Sequence, residues 1–424
     1  MIIKHDVFFK IYVLSIYYIY LVRSVFPSGL LNFADDILFL LMAALALISS
    51  NGRRFFVTFV SFVTCFFILY YALYGVFNNN GPLAPLMSLR YYKNFFIFLF
   101  VSTLSVRNFN DTMCLIKYAL FVSIPISFYQ FFTADRGNEA WWDEIGGILG
   151  RDGQSGTLSL LILVYVLFEY FRRIRDKTKL FDWYLLTLIP MFLNETKVVI
   201  FLVPVVFIIV SLIYSARSVG KVIFAAPLFI LGAFSINAMY VTLFGYSLFN
   251  TINYDFIEGY FFADDVLRYQ EVDVGRFMRL IYAHEYLSNQ PLITQLFGEG
   301  LGATFYGENS GVEGKLVSEF FLLRLHTGSK IQLYQMILEF GYVGSVIFIL
   351  LVLMPLFRVA LSKSRSDYDI VVLISVPVFI LGMLYQPVIE TKAIAFLMSY
   401  SVAVSLYNGS TVNGSGNNRS VKIV

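Results

Sequence analysis

The sequence predicts an all-α, polytopic integral membrane protein with about twelve transmembrane helices and one long, mostly helical loop outside the bilayer. Three observations predict it. The chain of 424 residues is 58% hydrophobic and only 14% charged, with a mean hydropathy of +0.73; a water-soluble domain carries roughly a quarter charged residues. Apolar runs long enough to cross a membrane recur along the whole length. They are interrupted once, by the polar segment 247–329. A β-barrel would show shorter spans in which apolar and polar residues alternate.

Taken in order, the spans fall near 7–25, 30–48, 55–76, 87–105, 113–133, 154–171, 181–194, 197–214, 221–246, 331–357, 369–387 and 392–407. The first follows MIIKHDVFFK with no small-residue cleavage site, and reads as a retained helix in place of a signal peptide. The seventh is short enough to be a half-span or re-entrant segment. Cys65 and Cys114 lie inside spans and read as small core residues, with no disulfide framework and no metal cluster. One membrane domain accounts for 1–424, with the loop 247–329 inserted between two spans and no soluble domain on either side. The tail 408–424, rich in Asn, Ser and Gly, is expected to be disordered.

Basic residues set the orientation. Arg53 and Arg54, Arg107, the run Arg172, Arg173, Arg175, Lys177 and Lys179, then Arg217 and Lys221, and Arg358, Lys363 and Arg365 all fall in connections on one side. By the positive-inside rule that side is the cytoplasm, which places both termini there. Connections 78–85, 134–154 and 247–329 then face outward. Residues 247–330 hold eleven acidic and six basic side chains. The loop is therefore no basic patch for nucleic acid or other polyanions. Residues 276–290 have helical spacing, with Phe277, Leu280, Ile281 and Leu287 near one face. Pro291 ends that helix, a glycine turn from Gly298 to Gly302 follows, and a second polar helix is expected through 316–326.

Five positions invite chemistry. His326 stands just before the tenth span, where histidine serves as a base near neutral pH, or simply as a residue that snorkels at the interface. Arg276 offers the planar, permanently charged fork that suits phosphate; the alternative is a surface salt bridge with Glu271 or Asp273. Lys197 follows Asn194-Glu195-Thr196 at the mouth of a span, where a cation is costly unless it is functional or paired, here with Glu195. Arg90 and Lys93 sit one turn apart near the outer end of the fourth span, and Arg151, beside the sixth, would join them. Asp35 and Asp36 read as a charge pair at a helix start. The Gly298-Glu299-Gly300-Leu301-Gly302 turn follows no predicted strand and is no dinucleotide fingerprint. His284 reads as structural.

In their order these residues resemble the bacterial O-antigen polymerase (Wzy-type) and O-antigen ligase superfamily. Lys197 opens a span after an Asn-Glu-Thr turn. Gly275-Arg276 follows in the long loop. Pro291 to Gly300 has the form Pro-Leu-x-x-x-x-Phe-Gly-x-Gly. His326 comes 50 residues after Arg276. The next span carries Leu338-Glu339-Phe340-Gly341-Tyr342-Val343-Gly344, close to the family's Glu-x-Gly-x-x-Gly helix. The motifs cover about a third of the chain, and the span count extends the likeness to the rest. Two departures favour polymerase over ligase: Lys197 where the ligases carry arginine, and Thr327 where they often carry Asn.

The resemblance implies a GT-C-like membrane glycosyltransferase with no cofactor and no metal, at the periplasmic face of a bacterial inner membrane. The donor is a glycan on undecaprenyl diphosphate, and the acceptor is another lipid-linked repeat unit, joined with inversion. In the roles the resemblance implies, His326 is the base and Arg276 is catalytic. Lys197, Arg90, Arg276 and Arg151 bind diphosphate, and Glu339, Gly298 and Gly300 support the site. A chain-length-regulating co-polymerase is an implied partner, alongside membrane lipid. A ligase acting on lipid A-core stays open. So does a flippase, which has little use for the long loop and would show a halved internal repeat.

Overall fold

A backbone among apolar side chains satisfies its N–H and C=O groups within its own segment, so apolar runs coil into helices. The computed structural model describes residues 5–26, 31, 33–48, 59–78, 81–97, 100–101, 109–135, 144–151, 154–180, 182–194, 197–214, 238, 241–242, 245, 258, 262, 275–307, 311–317, 331–362 and 366–414. Among them the chain is mostly helical, as the sequence predicts. The helices are α1 (His5–Tyr17), α2 (Ile19–Val25), α3 (Ala34–Ile48), α4 (Phe59–Asn78), α5 (Leu83–Tyr92), α6 (Phe109–Thr133), α7 (Ser155–Asp176), α8 (Ile189–Leu193), α9 (Lys197–Tyr214), α10 (Arg276–Ser288), α11 (Leu292–Phe297), α12 (Gln332–Leu361), α13 (Asp367–Gly382) and α14 (Lys392–Gly414). Two of them, α6 and α12, are long and apolar enough to cross a membrane.

Helix α13 forms the centre. Every residue from Ile370 to Phe379 is buried, as befits a helix that is apolar all round. It packs against α7, α9, α12 and α14. The peripheral helices instead turn large apolar side chains outward: Phe66, Leu73 and Phe77 on α4, Phe132 on α6, and Leu350, Phe357 and Leu361 on α12. Short-range ion pairs tie one end of the bundle, with Lys10 to Asp111 and Arg175 to Asp367 both at 2.5 Å.

Several elements depart from the sequence expectation. Helix α14 continues to Gly414, into the segment 408–424 expected to be disordered, because each new turn propagates from hydrogen bonds already formed; residues 415–424 lie outside the described residues. The loop is not purely helical: β1 (Tyr306–Gly307) and β2 (Val312–Glu313) form a small antiparallel pair. Pro291 ends one helix and starts the next, serving as N-cap of α11. The buried face of α10 is Arg279, Ala283 and Leu287, while Phe277 and Ile281 are exposed. The second loop helix expected at 316–326 falls almost entirely outside the described residues. The short seventh span is a 3-10 stretch, Trp183–Leu188, running into α8. Part of the connection 134–154 turns back into the bundle: Gln130 of α6 bonds both backbone groups of Gly147, and Ile145 and Ile148 are buried.

The feature that positions the loop is a break in α12. Gly341 has φ 67° and ψ −173°, a conformation that interrupts the helical bond ladder and leaves preceding carbonyls without intrahelical donors. The glycine turn supplies the donors. Glu299 N–H bonds the Leu338 carbonyl and Gly300 N–H bonds the Glu339 carbonyl, both at 2.9 Å. The Tyr71 hydroxyl of α4 donates to the Phe340 carbonyl at 3.1 Å. Leu301 N–H in turn reaches the Tyr71 carbonyl at 3.0 Å. Backbones approach so closely that a Cβ on Gly298 would lie 2.5 Å from the Glu339 carbonyl carbon, and one on Gly341 would overlap the Gly298 amide.

Gly341→Ala and Gly311→Ala separate the two costs, since Gly311 has nearly the same φ of 62° but open space around it. Gly311→Ala should lose about 1–2 kcal/mol to its positive φ, and Gly341→Ala about 1–3 kcal/mol, since φ 67° with ψ −173° is a conformation that glycine alone adopts readily. Gly341→Ala should lose well beyond that through overlap with the turn, read as the larger fall in melting temperature of the purified protein. Equal falls would mean that the close approach contributes nothing.

Candidate functional site

The predicted residues fall into three settings. The first is a buried ionic cluster. Asp35 and Asp36 lie in the first turn of α3, as expected. Lys93 is buried and contacts both carboxylates. Arg90 bonds Asp36 at 2.5 Å and lies 4.7 Å from the centre of the Phe33 ring. Lys392, the first residue of α14, bonds Asp35 at 2.9 Å. Taking these charges out of water costs several kcal/mol each, which the mutual attraction offsets. Arg90 is thus committed to a carboxylate inside the bundle. Arg151 is engaged elsewhere, with the Thr133 hydroxyl at 2.6 Å and Glu144 at 3.7 Å.

The second setting gathers around the turn between α13 and α14. Arg276, first residue of α10, donates its Nε to the Tyr385 carbonyl at 3.2 Å and stacks its guanidinium 4.8 Å from the Tyr385 ring centre. Lys197 is the first residue of α9. The Asn194 side chain just before it is fully buried and bonds Ser155 and Ser159 at the start of α7. At Gly156, one residue on, a Cβ would meet Tyr385 and Gln386. The start of α7, to which Asn194 is bonded, and the start of α10 therefore both meet the 385–386 segment. His326 and the Lys197 side chain lie outside the described residues.

The third setting is the glycine turn with its two glutamates. Glu299 is buried. Its Oε1 accepts from the Tyr286 hydroxyl at 2.9 Å, and its Oε2 from Asn78 at 3.0 Å and Lys315 at 2.8 Å. Glu339 is also buried, and its Oε1 accepts from the amides of Gly302 and Thr304 at 3.1 and 3.2 Å and from the Thr304 hydroxyl at 2.8 Å. A carboxylate accepting several donors holds a turn rigidly. Glu339, Gly298 and Gly300 thus brace the turn against α12. His284 meets the Tyr342 hydroxyl at 2.6 Å across the break in α12, a structural contact.

Two features escaped the sequence. Arg279 is fully buried, on the face of α10 that also buries Ala283 and Leu287. Its three-residue spacing from Arg276 and four-residue spacing to Ala283 carried that signal. The second is a narrow cleft between α5, the loop, the start of α12 and the α13–α14 turn, lined in part by Tyr91, Tyr92, Thr304, Gln335, Glu339 and Glu390. It joins residues from four distant stretches, and no local pattern announces it. No protein-family model and no curated protein matches this chain.

Two stability tests follow from this geometry. Asp36→Asn strips the carboxylate that Lys93 and Arg90 share and should cost about 3–5 kcal/mol. Adding Lys93→Met, which removes one of the two cations left over, should return part of the loss, and chemical denaturation of the two variants reads the difference. Glu339→Ala strands three donors, at about 1–3 kcal/mol for each that finds no water. Limited proteolysis within 298–317 should accelerate accordingly. Glu339→Gln keeps the accepting Oε1 and should stay close to wild type; identical proteolysis of all three proteins would sink the bracing role.

Proposed function

We propose that this chain is a polytopic membrane glycosyltransferase that polymerises lipid-linked glycan repeat units at the outer face of a bacterial inner membrane. The observation that carries this reading is the seating of Arg276. It opens a loop helix and is held against Tyr385, the residue that the start of α7 also meets at Gly156. The loop that bears Arg276 is locked to α12 through the glycine turn and Glu339.

The remaining geometry supports a twelve-span arrangement. Eleven of the expected spans overlap described helices; the ninth lies almost entirely outside the described residues. Apolar side chains such as Phe77 and Leu361, 86% and 85% exposed, suit contact with lipid. Arg172, Arg173, Arg175 and Arg358 lie at helix ends away from the loop, and the positive-inside rule then favours an outer loop and cytoplasmic termini.

In this reading the acceptor hydroxyl oxygen bonds to the anomeric carbon of the donor glycan. The bond from that carbon to the diphosphate oxygen breaks on the opposite face, so the configuration inverts. His326 takes the hydroxyl proton. The electron pair leaves with undecaprenyl diphosphate, whose growing charge calls for fixed cations. Arg276 and Lys197 fill that part best. Each is the first residue of its helix, where unbonded backbone N–H groups also favour an anion. Arg90 and Arg151 are already committed to carboxylates and serve the frame.

The test is a reconstitution in vesicles with the host's lipid-linked repeat unit, the products sized on a gel. Wild type should give a ladder. His326→Ala should slow it by about 10²–10⁴, Arg276→Lys by about a hundredfold, and Lys197→Arg should be tolerated. A normal ladder from His326→Ala removes the base assignment. Transfer only when lipid A-core is added makes the protein a ligase, and translocation without chain growth makes it a flippase.

A further inference from the structure

Helix α12 marks where lipid begins. From Gln332 to Tyr342 none of its residues is exposed, and Gln332, Gln335 and Glu339 are buried there. From Val343 onward it turns a row of apolar side chains outward: Val343, Val346, Ile347, Leu350, Phe357 and Leu361. Their spacing keeps them on one face. Val343 and Leu361 stand 18 residues apart, about 27 Å along a helix axis, close to the roughly 30 Å of a hydrocarbon core. Lys363 and Arg365 follow at the far end. The outer edge of the hydrocarbon therefore falls at Val343, just after the break at Gly341.

Helix α11 packs at that level. A Cβ on Gly341 would lie 2.6 Å from the Leu296 carbonyl oxygen, and the turn that follows α11 bonds the carbonyls of Leu338 and Glu339. Leu292 and Ile293 are both 67% exposed, and Phe297 36%. The polar Gln295 turns the other way, donating to the Ser288 and Gln290 carbonyls at 3.2 and 2.8 Å. No residue from 286 to 298 is charged. A helix that faces water carries charged or polar residues on its outer side; this one offers hydrocarbon, and offers it where the apolar row of α12 starts.

We propose that α11 is an interfacial anchor, with Leu292, Ile293 and Phe297 set into the outer leaflet at the boundary between headgroups and acyl chains. The partner is the lipid surface itself, because the exposed face of α11 continues the face that α12 turns to lipid. The proposal rests on the membrane arrangement proposed above, and adds the depth at which the loop sits. Helix α10, which Arg276 opens, is joined to α11 through Asn289, Gln290 and Pro291 alone. The anchor thus holds the end of α10 down on the bilayer, where a lipid-borne diphosphate emerges.

The test uses the full-length protein in phosphatidylethanolamine–phosphatidylglycerol vesicles at low protein density, with no other protein present. A nitroxide is attached at Ile293→Cys in a chain carrying Cys65→Ala and Cys114→Ala, which removes both native thiols. Labels at Leu350→Cys on α12 and at Glu313→Cys on the exposed side of β2 serve as references. Power saturation compares collisions with oxygen, which concentrates in lipid, and with a nickel chelate, which stays in water. The oxygen-to-chelate ratio at 293 should stand several-fold above that at 313 and approach that at 350. A ratio equal to that at 313 overturns the anchor. A label shielded from both reagents means that protein covers this face, from the same chain or a second copy, and overturns it as well. Leu292→Cys repeats the reading one residue away, in case a single label disturbs the seat. The two proposals fail separately. A label in water at 350 removes the membrane arrangement, whereas lipid at 350 and water at 293 removes the anchor alone. Lipid at 293 with no ladder from wild type keeps the anchor and removes the polymerase.

Discussion

The break at Gly341 is the constraint on which the site depends. A continuous helix would satisfy its own carbonyls and have no reason to hold a loop. Interrupting it leaves the carbonyls of Leu338, Glu339 and Phe340 in a water-poor setting, where they require donors from elsewhere. The amides of Glu299 and Gly300 and the hydroxyl of Tyr71 supply them. The loop is therefore attached by backbone hydrogen bonds, which tolerate changes of side chain but no change of distance. Glu299 and Glu339 then extend the attachment to α4, α10 and the β1 side of the loop.

The ionic cluster plays a different part. Three cations and two carboxylates inside an apolar bundle give less net stability than the same volume of hydrocarbon would. They give a single register instead. Asp35 meets Lys392 across 357 residues of sequence and meets Lys93 as well, so α3, α5 and α14 have one mutual arrangement in which each carboxylate meets two cations. That arrangement fixes the α13–α14 turn, and with it Tyr385 and Glu390.

Much of this was legible from residue order alone. Helix positions followed from apolar run length, because in such a chain the backbone has no alternative to coiling. The start of α10 after Gly275, the stop at Pro291 and the tight turn at Gly298–Gly302 followed from glycine and proline chemistry. The Asp35-Asp36 pair was placed correctly in the first turn of α3, but its partners were not legible: Lys93 and Lys392 reach it through packing, not through spacing. The same holds for the cleft. The face of α10 was misread because Phe277 and Ile281 were counted toward the core by their apolarity; Arg279, at helical spacing from Ala283 and Leu287, is enclosed instead. Helix α14 outran its apolar segment because a formed helix extends at little cost, whatever the composition suggests.

The contact between Asn78 and Glu299 spans 221 residues, and Glu299 must still wait for Leu338 to find the partner of its amide. A chain made from its N-terminus therefore presents the outer end of α4 long before anything can dock on it. Tyr71, Gly75 and Asn78 stay open until the loop and α12 have been made. The last third of synthesis would then decide whether the first third is finished, and the closing of the glycine turn would be the event that turns a row of helices into one assembled molecule.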